Sequence, residues 1–320
     1  MTFHEGILNI ECEREIGIVC DFIRDQLTAF RKEGVVVGLS GGIDSALCAE
    51  LCVRSLGRER VLGLILPERE SNPISREYAL EHARRLGLAC EVVDITPMLE
   101  AFGTYARRDE AVREVIPEFE PHHRFNISLP PDLLDKDAYN VFRLTVVDDT
   151  GRSHTRRLNK VALSAITAAG NTKQRARMLH LYYFSEKRNS IVCGTTNRSE
   201  TQQGFFVRYG DGGVDIEPIA HLYKTQVYQM AAHLGVPGEI IRRKPSPDTY
   251  SLEVSDEEFY FRMPYHELDL LLFAWENGIA VRETAREMGL REEQVKRVFR
   301  DLEAKHRATR HLRELPPSLL

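Results

Sequence analysis

A short polar loop carries the clearest chemical signature in the sequence. It consists of Ser40, Gly41, Gly42, Ile43, Asp44 and Ser45. Three valines at 35–37 precede it and an apolar segment follows, an order that predicts a buried parallel strand delivering the loop to a helix N-terminus. Backbone N–H groups at such a terminus attract anions, and the glycines let a ligand approach the main chain. We therefore expect this loop to bind phosphate rather than to serve only as a helix cap.

The overall composition is that of an ordinary globular protein. The chain has 320 residues, of which 42% are hydrophobic and 28% charged, enough for one large or two modest domains. Its net charge of −5 provides no global positive field to attract nucleic acid or a membrane surface. No apolar run approaches the roughly 20 residues that span a bilayer, and the first residues lack signal-peptide features. These features predict a cytoplasmic protein.

The elements around the loop follow an alternating pattern. Helical spacing covers residues 7–31, and two further strands are expected at 61–66 and 90–95, separated by a helix at 75–86. Right-handed crossovers between such strands predict an α/β fold, with a doubly wound parallel sheet and helices on both faces. Ligands bind such sheets at the carboxyl ends of the strands, which is where the loop lies.

The pattern changes between residues 103 and 170. Several prolines, an apolar run at 139–147 and a turn at 148–151 predict a loop and a β-hairpin inserted into the α/β domain. A helix is expected to resume at Asn171, followed by a strand at 190–194. We expect one domain over 1–320, with this insertion and a helical C-terminal extension from about residue 265.

The loop and five other segments resemble a known family. Ser-Gly-Gly-x-Asp-Ser is similar to the pyrophosphate loop of the ATP pyrophosphatase superfamily, whose fold is adenine nucleotide alpha hydrolase-like; it is not a Walker A or dinucleotide fingerprint. The order of the segments resembles that of the ammonia-dependent NAD synthetases. The other five contain Asn171, Lys173 and Arg175; Gly194, Thr195, Asn197, Ser199 and Glu200; Tyr209 to Asp215; Pro218, Ile219, Leu222, Tyr223 and Lys224; and Lys244, Pro245, Ser246 and Asp248.

The resemblance implies an enzyme that adenylates the carboxylate of deamido-NAD with ATP and then amidates it with ammonia. It implies ATP contacts from 40–45, Thr195, Lys224 and Ser246, with Asp44 and Lys224 as catalytic residues. Asp44 and Glu200 would share Mg²⁺, because this ion prefers oxygen ligands. The dinucleotide would contact Arg175, Arg208, Asp215, His306 and Arg307, where Arg208 replaces the lysine usual in the family.

The resemblance also implies partners. A homodimer is expected, and ammonia is expected to come from solution or from a separate glutaminase, because only 39 residues precede the loop. The group that deprotonates ammonium stays open among Asp211, Asp215 and Asp248.

Three alternatives stay open from the sequence. The insertion before Arg175 and the proline at 247 depart from the family pattern, so a paralogue that amidates a different carboxylic acid is one alternative. A nucleotide sensor without catalysis is another. A DNA-binding regulator is the third, because 279–289 and 292–305 have the order of a helix-turn-helix. We favour a packing element there, since the basic residues fall late in the second helix.

Overall fold

The computed structural model, which describes residues 3–136 and 140–319, contains two β-sheets. The strands are β1 (Gly34–Gly38), β2 (Val61–Ile65), β3 (Ala89–Val92), β4 (Arg124–Ser128), β5 (Arg143–Val147), β6 (Ser153–Arg157) and β7 (Ser190–Cys193). The first sheet is parallel in the order β3-β2-β1-β7. The second is antiparallel in the order β4-β5-β6.

The helices follow the strands as the alternating pattern predicts. They are α1 (Cys12–Ala29), α2 (Ile43–Leu56), α3 (Pro73–Leu86), α4 (Thr96–Phe102), α5 (Thr104–Arg113), α6 (Lys160–Lys187), α7 (Arg198–Gln203), α8 (Lys224–His233), α9 (Gly238–Arg242), α10 (Tyr265–Glu276), α11 (Val281–Glu287), α12 (Glu292–Ala308) and α13 (Arg310–Arg313). Short 3-10 turns cover Glu5–Leu8 and Arg58–Arg60, and a π-helical turn covers Glu257–Phe261.

Strand β1 lies inside the parallel sheet and is covered on both faces. Val35 and Val37 pack into a core shared with α1, α2 and α8, whereas Val36 packs against a second core that includes Ala176 of α6. This split follows from the pleat, which sends successive side chains to opposite faces. Each fully buried valine contributes about 1.5–3 kcal/mol to folding. The predicted doubly wound sheet with helices on both faces is confirmed.

The strand order reverses between β1 and β7. From β1 the chain moves outward through β2 and β3, and it returns through the insertion to place β7 on the other side of β1. A crevice forms outside the carboxyl ends of the strands at such a reversal. The loop after β1 and the loop after β7 therefore meet there.

The predicted helix at 7–31 is interrupted. The chain forms the turn Glu5–Leu8, is extended at Asn9 and enters α1 only at Cys12. The backbone N–H of Ile10 donates to Gln229 Oε1 (3.1 Å), which satisfies that N–H outside a helix.

The predicted hairpin between 103 and 170 is only part of a larger insertion. The structure adds α5 and a third antiparallel strand, and α6 begins at Lys160 rather than at Asn171. The Asn159 side chain accepts from the backbone N–H of Ala162 (2.8 Å), a cap that fixes this earlier start. Tyr139, the first residue of the predicted apolar run, lies outside the described residues.

The C-terminal extension is helical, as predicted. Val295, Val298 and Leu302 of α12 are buried against α10 and α11. Lys305 is also buried, where it pairs with Asp301 (2.9 Å) and donates to the carbonyl oxygen of Tyr260 (2.8 Å). These contacts support a packing element rather than a DNA-reading helix. Among the described residues, the helices are all too short or too polar to cross a membrane.

Candidate active site

The loop after β1 is held by its own serines. Ser45 Oγ accepts from the backbone N–H of Ser40 (3.2 Å) and donates to the carbonyl oxygen of Gly42 (3.0 Å). Ser40 Oγ accepts from the N–H of Gly42 (3.2 Å). Gly41 has φ +74°, and a Cβ there would lie 2.2 Å from the carbonyl oxygen of Ser75. The sequence Ser-Gly-Gly thus fits a loop that turns tightly against α3.

Asp44 lies in the first turn of α2 and joins two distant segments. Its Oδ1 accepts from Asn197 Nδ2 (3.0 Å), and its Oδ2 pairs with Lys224 Nζ (2.5 Å). Lys224 is the first residue of α8 and is 1% exposed. Its Nζ also lies 3.6 Å from Glu200 Oε1. The structure therefore brings the predicted metal and catalytic residues into one cluster.

Asn197 orients both carboxylates, a role that was not predicted from the sequence. Its Oδ1 accepts from the N–H of Glu200 (3.1 Å), and Glu200 Oε2 accepts from the N–H of Asn197 (3.1 Å). This reciprocal capping box begins α7. The pattern Asn-x-x-Glu after a buried strand is the sequence signal that could have revealed it.

Burial and charge compete in this cluster. Burial opposes the charge on Lys224, but Asp44, Glu200 and Asp256 outweigh it and raise the pKa of the ammonium above its usual value. Burial, reinforced by Asp44 and Asp256, raises the pKa of Glu200 although Lys224 acts in the opposite direction. Burial also raises the pKa of Asp256 to about 6. Three carboxyl groups around one lysine leave an excess of negative charge that favours a further cation.

A carboxylate pair in the cluster and a histidine-containing group in the insertion both have the chemistry of metal ligands. The carboxylates of Asp44 and Glu200 share one cationic neighbour and offer the oxygen ligands that Mg²⁺ prefers. His122, His123 and Asp149 of the insertion hold ligand atoms within 4.8 Å of one another. However, the N–H of Glu120 donates to His123 Nδ1 (3.0 Å), which leaves the proton of the neutral ring on Nε2. The carboxylate pair therefore fits a phosphate-bound metal better.

A cavity of about 1130 Å³ opens beside the cluster. This exceeds the range of about 300–1000 Å³ that is usual for one small ligand, so it has room for two substrates. The predicted ATP and metal residues that line it are Ser40, Gly42, Ile43, Asp44, Ser45, Thr195, Glu200, Lys224 and Ser246. Gly41 belongs to the same loop but is not among the lining residues, and its carbonyl oxygen accepts from Arg243 Nη1 (3.3 Å).

The predicted dinucleotide residues divide into two groups. Arg175 and Arg208 line the cavity, and the Arg175 guanidinium donates to the carbonyl oxygen of Arg208 (3.3 Å). Asp215 is not among the residues that line the cavity, and its carboxylate accepts from the N–H of Val192 (2.7 Å) and from Tyr182 Oη (3.1 Å).

His306 and Arg307 lie on α12 and are not among the residues that line the cavity. The His306 ring contacts the carbonyl oxygen of Gln202 (2.9 Å), and Arg307 is exposed. Their contact with a dinucleotide stays a prediction.

The acids proposed as bases also differ in position. Asp248 accepts from the N–H of Asn72 and from Ser75 Oγ (3.1 Å each), which engages both its oxygens. Asp211 lines the cavity and accepts from the N–H of Val207 (2.9 Å). Asp256, which was not predicted from the sequence, also lines the cavity, and its buried Oδ1 has no hydrogen-bond partner among the described residues.

A glycine loop at the switch point of a parallel sheet, beside buried carboxylates and a lysine, defines a nucleotide-binding α/β protein. A family model described as NAD synthase matches residues 15–127 and 140–316. The chain belongs to the NAD synthase family.

Curated relatives belong to the same family, and a solved structure shares the fold. The chain is 44% identical over 311 residues to the NH(3)-dependent NAD(+) synthetase of Mesorhizobium japonicum, covering 97% of each chain. It is 35% identical over 306 residues to that of Methanocaldococcus jannaschii, covering 96% of each. An NH3-dependent NAD synthetase from Campylobacter jejuni in complex with the nitrate ion shares the fold, with a TM-score of 0.65, 24% identity and coverage of 98% and 100%. The predicted family and the prediction of an enzyme are confirmed.

We expect Gly41→Ala to weaken ATP binding at least about tenfold, because the new Cβ forces the loop away from Ser75 and misplaces its N–H groups. Gly151→Ala is the matched control, since Gly151 has φ +78° but open space around its Cβ position. Both variants carry the left-handed strain of about 1–2 kcal/mol. Calorimetric titration with ATP and Mg²⁺, together with thermal unfolding, separates the two effects. Equal ATP affinity in both variants would contradict the assigned loop.

Proposed function

We propose that this chain is an ammonia-dependent NAD synthetase that converts deamido-NAD to NAD, with ATP cleaved to AMP and pyrophosphate. One observation carries the proposal: Asp44 is held between Lys224 and Asn197 at the phosphate-binding loop, at the edge of a cavity large enough for two substrates. The names of the curated relatives support the substrates.

In the first step a carboxylate oxygen of deamido-NAD attacks the α-phosphorus of ATP. The bond from that phosphorus to the bridging oxygen breaks, and its electron pair leaves with pyrophosphate. A carboxylate is already ionised, so this step needs alignment and charge neutralisation rather than a base. The loop N–H groups and the buried Lys224 ammonium supply positive charge for the departing pyrophosphate. Such preorganised groups contribute about 3–4 kcal/mol each to transition-state stabilisation.

Asp44 and Glu200 would hold Mg²⁺, as their shared position and oxygen chemistry allow. When bound, the ion neutralises charge on the phosphate oxygens. Lys224 and Asn197 keep the Asp44 carboxylate in place whether or not the ion is present, because each contacts a different oxygen of it.

In the second step ammonia attacks the acyl carbon, and AMP leaves with the former carboxylate oxygen. The attacking nitrogen loses a proton, so a carboxylate near the cavity is required. Asp211 and Asp256 fit this requirement better than Asp248, because both line the cavity and burial raises the pKa of each to about 6, which leaves them ionised at neutral pH. Asp248 is engaged at both oxygens by α3.

The test is an assay of AMP release with ATP, Mg²⁺ and ammonium, in which deamido-NAD is compared with other carboxylic acids. We expect turnover with deamido-NAD, and a loss of about a hundredfold or more in Asp44→Asn. Asp21→Asn is the control, because its side chain is 71% exposed and pairs with Arg24 on α1. Turnover of another acid instead of deamido-NAD would favour the paralogous ligase, and no AMP with any acid would favour a nucleotide sensor.

We further propose that the chain forms a homodimer and acts in the cytoplasm. Leu179 and Tyr183 of α6 are 51% and 60% exposed and surround a shallow apolar pocket with Val93 and Phe184. Exposed apolar patches of this kind mark protein interfaces. We expect Leu179→Asp to sediment as a monomer, and Val161→Asp, changed at a position on the same helix that is 72% exposed, to remain dimeric. A dimeric Leu179→Asp would place the interface elsewhere.

A further inference from the structure

The insertion reaches the cavity and forms one end of it. We propose that this end is a compartment for a planar ring of the dinucleotide substrate, with Phe142 as a specificity-determining residue. The inference rests on the proposed function and adds to it the part of the chain that recognises the substrate.

The walls of the compartment are apolar and largely aromatic. Ile127 of β4 and Phe142 before β5 line the cavity together with Tyr250 and Phe259. The ring centroids of Phe142 and Phe259 lie 5.9 Å apart, and those of Tyr250 and Phe259 lie 5.6 Å apart. These distances show that the three rings pack on one another, and an aromatic side chain that borders the cavity can attract a further flat ring by offset or edge contacts. The pyridine and adenine rings of a dinucleotide have this shape.

Hydrogen bonds fix these walls before a substrate arrives. The N–H of Leu252 donates to the carbonyl oxygen of Phe125 (2.9 Å), and the N–H of Leu129 donates to that of Glu258 (3.0 Å). Strand β4 thus ties segment 245–261 to the insertion.

A buried ion-pair cluster anchors the same segment from the other side. Lys173 Nζ donates to the carbonyl oxygen of Thr249 (2.7 Å) and pairs with Glu68 (2.9 Å) and Glu70 (2.8 Å). Arg108 of the insertion pairs with Glu70 (2.5 Å). A preformed wall lowers the entropic cost of binding.

The position of the compartment favours the dinucleotide over ATP. Leu163 and Arg175 both lie on α6 and both line the cavity, with Leu163 at the end that forms the compartment. At a rise of 1.5 Å per residue, Arg175 lies about 18 Å further along the helix axis. A dinucleotide has two planar rings joined by a pyrophosphate, so it needs an elongated site with a cation at a distance from the ring pocket. The ATP phosphates are assigned to the loop after β1. A separate apolar wall is provided there by Leu39 and Leu66, which directly follow β1 and β2, and by Leu80 of α3.

The test is steady-state kinetics of Phe142→Ala and Phe142→Leu. We expect the KM for deamido-NAD to rise about tenfold in Phe142→Ala, from the loss of a ring contact, while the KM for ATP and kcat change less than about twofold. Phe142→Leu keeps most of the buried volume, so it separates loss of the flat ring from misfolding. Thr145→Ala is the matched control, because Thr145 lies on the opposite face of β5 and bonds Thr155 (3.1 Å).

Inhibition by nicotinate mononucleotide distinguishes the two rings of the dinucleotide. If the inhibition constant of nicotinate mononucleotide rises in Phe142→Ala by the same factor as the KM for deamido-NAD, the compartment holds the pyridine ring. If this inhibition constant is unchanged while that KM rises, the compartment holds the adenine ring. An unchanged KM for deamido-NAD in both Phe142 variants would overturn the proposal, as would a rise confined to the KM for ATP. If the unaltered chain forms no NAD, the proposed function fails. Calorimetric titration of deamido-NAD into the unaltered chain and the same variants then tests the compartment by itself. Equal affinities in all of them would overturn the compartment.

Discussion

The buried ammonium of Lys224 is the charge on which the site depends. It is 1% exposed and lies between the carboxylates of Asp44 and Glu200, which belong to α2 and α7. Removing one partner from a buried ion pair costs about 3–5 kcal/mol, because the other charge is left uncompensated. The cluster can therefore form only where the sheet brings the ends of β1 and β7 together. The loop that we propose binds phosphate and the acid pair that we propose binds a cation lie in this crevice for the same reason.

The C-terminal extension contributes to this arrangement from behind. Asp269 of α10 is fully buried; its Oδ1 accepts from Ser199 Oγ (2.5 Å) and its Oδ2 from the N–H of Thr225 (2.8 Å). Ser199 Oγ in turn accepts from the N–H of Lys224 (3.0 Å). Burial raises the pKa of Asp269 to about 6, a cost that these hydrogen bonds partly offset. The first turns of α7 and α8 are thus held together by one carboxylate.

Local patterns predicted most of the central fold. The loop and the doubly wound sheet followed from the sequence, because their conformations depend on residues that are neighbours in the chain. These are the valine run of β1, the Ser-Gly-Gly loop and Gly57, which directly follows α2. The return strand of the predicted hairpin is β6, Ser153–Arg157, whereas β4, Arg124–Ser128, was not predicted, and its pairing with β5 shows that it is a strand. Asn197 and Asp256 were missed because their importance comes from contacts with distant segments. Asp215, His306 and Arg307 came from family order alone, and the structure leaves them outside the cavity lining.

The measurement that tests the central assignment most directly follows oxygen from the acid to the nucleotide. If the site activates a carboxylate by adenylation, deamido-NAD labelled with ¹⁸O in its nicotinate carboxylate must transfer one labelled oxygen to AMP in each turnover. We expect mass spectrometry to find one ¹⁸O in AMP, one in the amide of NAD and none in pyrophosphate. Unlabelled AMP, or label in pyrophosphate, would contradict attack of the carboxylate on the α-phosphorus at this loop.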